Sequence, residues 1–179
     1  MTEKNDTKQL IDRLEATRNL SRDEWIRLIQ NRTADDADYL FERAQAVRTR
    51  HYGRSVYIRG LIEFTNYCKN DCFYCGIRKS NRNANRYRLT KEQILSCCEM
   101  GYALGFRTFV LQGGEDGSFT DDRLTDIISS IRTRWRACAI TLSVGERSYE
   151  SYKRLYDAGA NRFLLRHETY DDTHYGKLH

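Results

Sequence analysis

From Arg54 onward, short apolar runs alternate with segments of helical period, and this rhythm constrains the fold more than any other feature of the chain. Val56 to Phe64, Thr108 to Leu111, Ala139 to Val144 and Phe163 to Leu165 read as strands. Between them, Thr90 with Gln93 predicts a capping box for a helix carrying Ile94, Leu95 and Met100. Thr120 predicts the cap of a helix through Leu124, Ile127, Ile128 and Ile131, and Tyr149 to Asp157 reads as a third helix. Successive strand-helix units predict an α/β fold of parallel strands with right-handed crossovers. Ligand-binding loops then belong at the strand C-terminal ends.

The first fifty residues have a different character. Ser21 with Glu24 forms a capping box before the apolar stripe Trp25, Ile26, Leu28 and Ile29, and a further helix is expected from Ala34 to Arg50, stopped by Gly53. The expected division is a helical extension over residues 1–53 and the β/α region over 54–179. The net charge of +5 comes from interspersed charges of both signs, which argues against a nucleic-acid-binding arm. The polar start MTEKNDTKQL lacks a signal-peptide core, and no apolar run reaches the roughly 18 residues of a membrane span, so the expectation is a cytoplasmic protein with no membrane or nucleic-acid partner.

Cys68, Cys72 and Cys75 form a C-x3-C-x2-C run on the loop leaving the first strand. Three thiolates on one short loop can occupy three corners of an iron-sulfur cube and leave one iron open. An open iron can chelate an amino acid through its amino and carboxylate groups. The competing readings are a zinc knuckle or a redox pair at Cys72 and Cys75. A structural zinc site takes four closed ligands, and the chain contains no second C-x2-C. Cys97, Cys98 and Cys138 read as small buried hydrophobes.

Other strand ends carry chemistry too. In Gln112-Gly113-Gly114-Glu115-Asp116 the glycines permit close backbone approach and a carboxylate can receive an ammonium, although a bare tight turn would use the same glycines. Ser143, Glu146 and Arg166 lie at the ends of strands three and four, where each charge has a solvated reading as well as a ligand-binding one. Arg86, Tyr87 and Arg88 read as residues that order the loop after the cysteines.

With the aromatic Tyr74 before its third cysteine, the loop resembles that of the radical S-adenosylmethionine (SAM) superfamily. The segments LIEFTNYCKNDCFYCGIRKSN, RYRLT, FVLQGGED, TLSVGE and RFLLRHET together resemble the HydE-type maturases of iron-only (FeFe) hydrogenases, in the biotin synthase-like group. That resemblance implies a partial TIM-barrel-like (β/α) barrel: N-terminal helices followed by about four parallel β/α units, the N-terminal portion of a longer enzyme. A complete barrel takes about 250 residues.

It implies a 4Fe-4S cluster on Cys68, Cys72 and Cys75, with SAM as second cofactor. Tyr74 would face the adenine through its backbone. Gly113, Gly114 and Glu115 would grip the amino group of SAM, while Ser143, Glu146 and Arg166 complete its site and His167 and Glu168 face the cavity or its rim. The implied reaction is one-electron cleavage of SAM to methionine and a 5'-deoxyadenosyl radical, acting on a small organometallic iron precursor of the hydrogenase H-cluster. The implied partners are an electron donor such as ferredoxin or flavodoxin and other hydrogenase maturases. The alternatives are a biotin synthase-like or methylornithine synthase-like enzyme, or an inactive iron-sulfur-binding fragment.

Overall fold

A computed structural model describes residues 3–179, with side chains from Asp6 onward. The chain divides into two compact units, one ending at Tyr57 and the other spanning Ile58–His179. The first consists of α1 (Glu3–Thr17), α2 (Arg22–Gln30) and α3 (Ala34–Tyr52). The Ser21 N–H donates to Glu24 Oε2 at 2.8 Å and the Thr33 N–H to Asp36 Oδ2 at 2.9 Å, so orphan donors at both helix starts are satisfied by the residues that the capping pattern designates. Leu10, Ile11, Leu20 and Leu28 form a small core, with Leu14, Tyr39 and Leu40 packed against it. Around it Glu15 pairs with Arg43 at 2.5 Å and with Arg50 at 2.6 Å.

The second unit runs β1 (Gly60–Thr65), α4 (Lys91–Ala103), β2 (Thr108–Gly113), α5 (Asp121–Arg134), β3 (Ala139–Ser143), α6 (Tyr149–Asp157), β4 (Arg162–Phe163) and α7 (Asp172–Leu178). Its four strands pair in parallel in the order β1-β2-β3-β4, the α/β architecture expected from the strand-helix rhythm. Alternation across the pleat sends Ile62, Phe64, Phe109, Leu111, Ile140 and Leu142 to one face. There they pack against Ile94 and Leu95 of α4, Ile127, Ile128 and Ile131 of α5 and Leu155 of α6. At about 25 cal/mol per Å² of apolar surface, each fully covered Leu or Ile contributes about 1.5–3 kcal/mol. This core therefore holds the strand ends in place.

Several element boundaries differ from expectation, most of all those of the first and fourth strands. Val56, Tyr57 and Ile58 are not strand and are 80%, 73% and 58% exposed, because register with β2 starts only at Gly60 opposite Phe109. Apolar character nominates a strand; a partner decides where it begins. β4 is likewise only two residues, opposite Thr141 and Leu142, and after Leu164 donates to Leu142 O at 2.8 Å the chain turns away. The last stretch contains α7, whose N-cap Asp171 accepts the His174 N–H at 2.7 Å.

Candidate functional site

The cysteine loop leaves the C-terminal end of β1 and is laced to itself. Cys75 N–H donates to Cys72 O at 3.0 Å, Lys79 N–H to Asn70 O at 2.9 Å and Ser80 N–H to Asp71 Oδ1 at 2.9 Å. Cys68, Cys72 and Cys75 are free, half-buried thiols on the wall of one cavity of about 600 Å³. Among the described residues no group of three or more His, Cys, Asp or Glu side chains converges on a single metal-ion position. A cube takes its three protein ligands on three separate irons, which separates the sulfurs further than one ion's tetrahedron does.

The loop after β2 closes against the cysteine loop. A Cβ on Gly114 would stand 2.2 Å from Tyr67 O and 2.8 Å from Cys68 Cβ, so only glycine lets the two loops meet. Lys69 N–H donates to Glu115 O at 3.0 Å, and Lys69 Nζ reaches Glu115 Oε2 at 2.9 Å. This carboxylate draws the Lys69 ammonium pKa upward, chiefly by hydrogen bonding. The Glu115 side chain lies in the space that a Cβ on Gly145 would fill, 2.0 Å from its Cγ, and Gly145 has φ +76. Glu146 N–H completes the contact with Glu115 Oε1 at 3.3 Å. Glu115 is thus held between the ends of β1 and β3 while keeping an ammonium partner.

Beside it, Asp116 is nearly sealed from solvent and receives Arg88 Nε at 2.6 Å, Thr65 Oγ1 at 2.8 Å and Ser118 N–H at 3.0 Å. Burial pulls this carboxyl up, but the Arg88 guanidinium, the Ser118 N–H and the Thr65 hydroxyl outweigh it and hold the pKa at about 2. The Arg88 guanidinium also stacks 3.7 Å above the Tyr67 ring, next to Cys68.

The end of the chain lies against the same cavity. Phe73 N–H donates to Leu178 O at 3.0 Å, the Tyr74 hydroxyl meets His179 Nε2, and His179 stacks on Tyr175 at 3.9 Å between ring centroids. Tyr175 OH reaches Glu146 Oε1 at 3.3 Å, and burial followed by the charge of Glu146 raises that phenol. Burial, reinforced by Cys72, pushes the Tyr74 phenol up to about 12.

Every residue singled out for cofactor contact lines this cavity: Tyr74, Gly113, Gly114, Glu115, Ser143, Glu146 and Arg166, with the three cysteines. Arg166 is exposed, and among the described residues it has no hydrogen-bond or ion-pair partner. Glu168 also lines the cavity, but His167 does not. Lys69, Asn66 and Tyr175 line it without having been singled out. Their contacts are tertiary; only the position of Lys69 between Cys68 and Cys72 offered a signal. A second hollow of about 430 Å³ beside β4 is walled by Leu142, Leu155, Ala160 and Phe163 and lacks this grouping of thiols and carboxylates.

Residues 62–179 match the family model of the radical SAM superfamily. The chain belongs to the radical SAM superfamily. It is 42% identical over 139 residues to the FeFe-hydrogenase maturase subunit HydE of Thermotoga maritima, covering 78% of this chain and 39% of that protein. The 3-methylornithine synthase of Methanosarcina acetivorans is 31% identical over 161 residues, 89% of this chain and 45% of that one. Among solved structures, methylornithine synthase superposes with a TM-score of 0.84 at 29% identity, over 94% of this chain and 50% of that one. HydG, a maturase of the FeFe-hydrogenase, superposes with a TM-score of 0.87 at 25% identity, over 98% and 40%. The chain thus spans half or less of the length of these relatives, which are radical SAM enzymes, and its four parallel β/α units are a part of the radical SAM barrel. Among the described residues no helix is long and apolar enough to cross a membrane.

Proposed function

We propose that this chain holds a 4Fe-4S cluster on Cys68, Cys72 and Cys75 with SAM beside it, as the N-terminal part of a HydE-type maturase. The observation that carries this reading is that those thiols share one cavity with all seven residues expected to contact SAM. The donor set fits. Three free thiols stand on one loop, and Glu115 already receives an ammonium, that of Lys69, at 2.9 Å, the same charge and hydrogen-bonding group as the amino end of an amino acid. When bound, these groups supply one electron from the cluster for cleavage of SAM to methionine and a 5'-deoxyadenosyl radical.

The protein's part is to bind and orient. Glu115 takes the ammonium, with Gly113 and Gly114 allowing the backbone close approach. Arg166, without a partner among the described residues, would offer a bidentate fork to the carboxylate. Glu146 would accept from the ribose hydroxyls, Ser143 would complete the site, and the Tyr74 backbone would border the adenine. The likeness to HydE supports a small organometallic iron substrate in H-cluster assembly, with reduction by a ferredoxin or flavodoxin and other hydrogenase maturases as partners.

The test is SAM affinity of the reconstituted chain by anaerobic equilibrium dialysis. Removing one charge-assisted contact costs about 1.5–3 kcal/mol, so Glu115→Gln and Arg166→Ala should each weaken binding roughly tenfold to a hundredfold and leave iron content unchanged. Unaltered affinity in both variants would contradict the assignment.

A further inference from the structure

Arg86 is at the foot of the cysteine loop rather than in the cavity. Its guanidinium donates to four main-chain carbonyls: Asn66 O, Ile77 O at 2.8 Å, Arg78 O at 2.6 Å and Asn81 O at 3.2 Å. Asn66 lies two residues before Cys68, and Ile77 lies two after Cys75. One planar group therefore ties the two ends of the segment that carries all three loop thiols.

The chain around Arg86 is held in register independently. Tyr87 N–H donates to Asn66 Oδ1 at 2.8 Å, Asn66 Nδ2 to Asn85 O at 2.7 Å and Leu89 N–H to Phe64 O at 2.8 Å. Arg86 thus stands on a strut anchored to the end of β1, while Ile77, Arg78 and Asn81 belong to the free-running side of the loop. Among the described residues no carboxylate shares this guanidinium, and its hydrogen bonds go to backbone.

We propose that Arg86 is a positioning residue that closes the feet of the cysteine loop and holds its thiols at the spacing their ligand requires. The last clause rests on the cluster reading; the closure itself does not. Five donors in a rigid fork can serve four carbonyls at once, and a lysine ammonium, a point donor on a flexible stem, cannot. The residue acts through the cysteines and touches neither the cavity nor a reacting atom.

The test compares wild-type, Arg86→Lys and Arg86→Met full-length chains. In the metal-free protein, alkylation of each cysteine is followed by mass spectrometry. Loss of several charge-assisted hydrogen bonds should raise the open population of the loop, so Cys68, Cys72 and Cys75 should be modified tenfold or more faster in both variants, with Cys97 unchanged. Free guanidinium, at concentrations too low to denature, should restore the slow rate in Arg86→Met. In the reconstituted protein, iron loss to a chelator should accelerate by a similar factor. Unchanged loop-thiol rates in both variants, full rescue by lysine, or equal acceleration at Cys97, Cys98 and Cys138 would overturn the proposal. A wild-type chain that takes up no iron would defeat the cluster reading and leave the thiol result to decide the clasp.

Discussion

Cys68, Cys72 and Cys75 stand half-buried on a cavity wall, whereas Cys98 and Cys138 are sealed between helices and sheet, with Cys97 half-buried beside them. The loop thiols sit at the C-terminal end of a strand, among glycines, carboxylates and the exposed Arg166. The core thiols sit among Leu95, Phe109 and Ile131, where a sulfur serves as a small apolar group. Burial, with Cys97 and Cys138 nearby, pushes the Cys98 thiol up to about 12. Burial also raises Cys138, against the pull of Arg107 and Arg132. The contrast teaches that surroundings rather than residue type divide ligand from packing: one trio lines a cavity, while burial holds Cys98 and Cys138 as thiols.

The sharpest way to break this contrast is to delete cysteines from each group. Cys68→Ala, Cys72→Ala and Cys75→Ala should each abolish stable iron and sulfide uptake, because two thiolates do not retain the cube against exchange. Cys98→Ala and Cys138→Ala should leave iron content intact and lower stability by about 1–2 kcal/mol through lost packing. Full iron in any loop variant, measured by metal and sulfide analysis, would erase the distinction.

A second separation is chemical. At pH 8 a thiol with a pKa of about 12 is almost wholly protonated, and Cys98 is sealed from solvent whereas the loop thiols are only half-buried. Alkylation of the metal-free native chain should therefore modify Cys68, Cys72 and Cys75 while Cys98 stays unmodified until the protein unfolds. Simultaneous modification of both groups, read by peptide mass spectrometry, would show that the core is open.

Acid should sharpen the contrast by loosening one region before the other. Asp116 ties the β2 loop to Arg88 and Thr65, and its folded pKa of about 2 is below the unfolded value of about 3.9. A depressed carboxyl stabilises the fold above its unfolded pKa and ceases to do so as pH falls through its folded one. The contribution is about 2 kcal/mol once the one-third exposure of Arg88 is allowed for; it is complete above about pH 5 and lost between about pH 4 and 2. Urea unfolding should show Asp116→Asn less stable by about that amount at pH 6, with the gap closing toward pH 2. A gap that persists at pH 2 would place the stabilisation elsewhere.

Much of this was legible in the sequence where local rules decide the outcome. The caps at Ser21, Thr90 and Thr120, the parallel β/α order and the loop cysteines depend on neighbours within a few residues. The expected helix Tyr149–Asp157 keeps its bounds because its cap and its stripe agree. Strand limits were less legible: Val56 to Ile58 are as apolar as a strand and lack a partner. In the site, the residues expected from motif and position to contact the cofactor do line one cavity, but the Lys69–Glu115 pair, the Asp116–Arg88–Tyr67 stack and the approach of Tyr175 were not legible. Those contacts join segments far apart in the chain, and no periodicity encodes them.

If the open corner of a three-cysteine cluster faces a SAM site, electron paramagnetic resonance of the anaerobically reconstituted, reduced chain will register SAM binding at the iron. A reduced 4Fe-4S signal should appear, change its g-values when SAM is added, and be missing from Cys72→Ala. No signal, or a signal that SAM leaves unchanged, would contradict the claim.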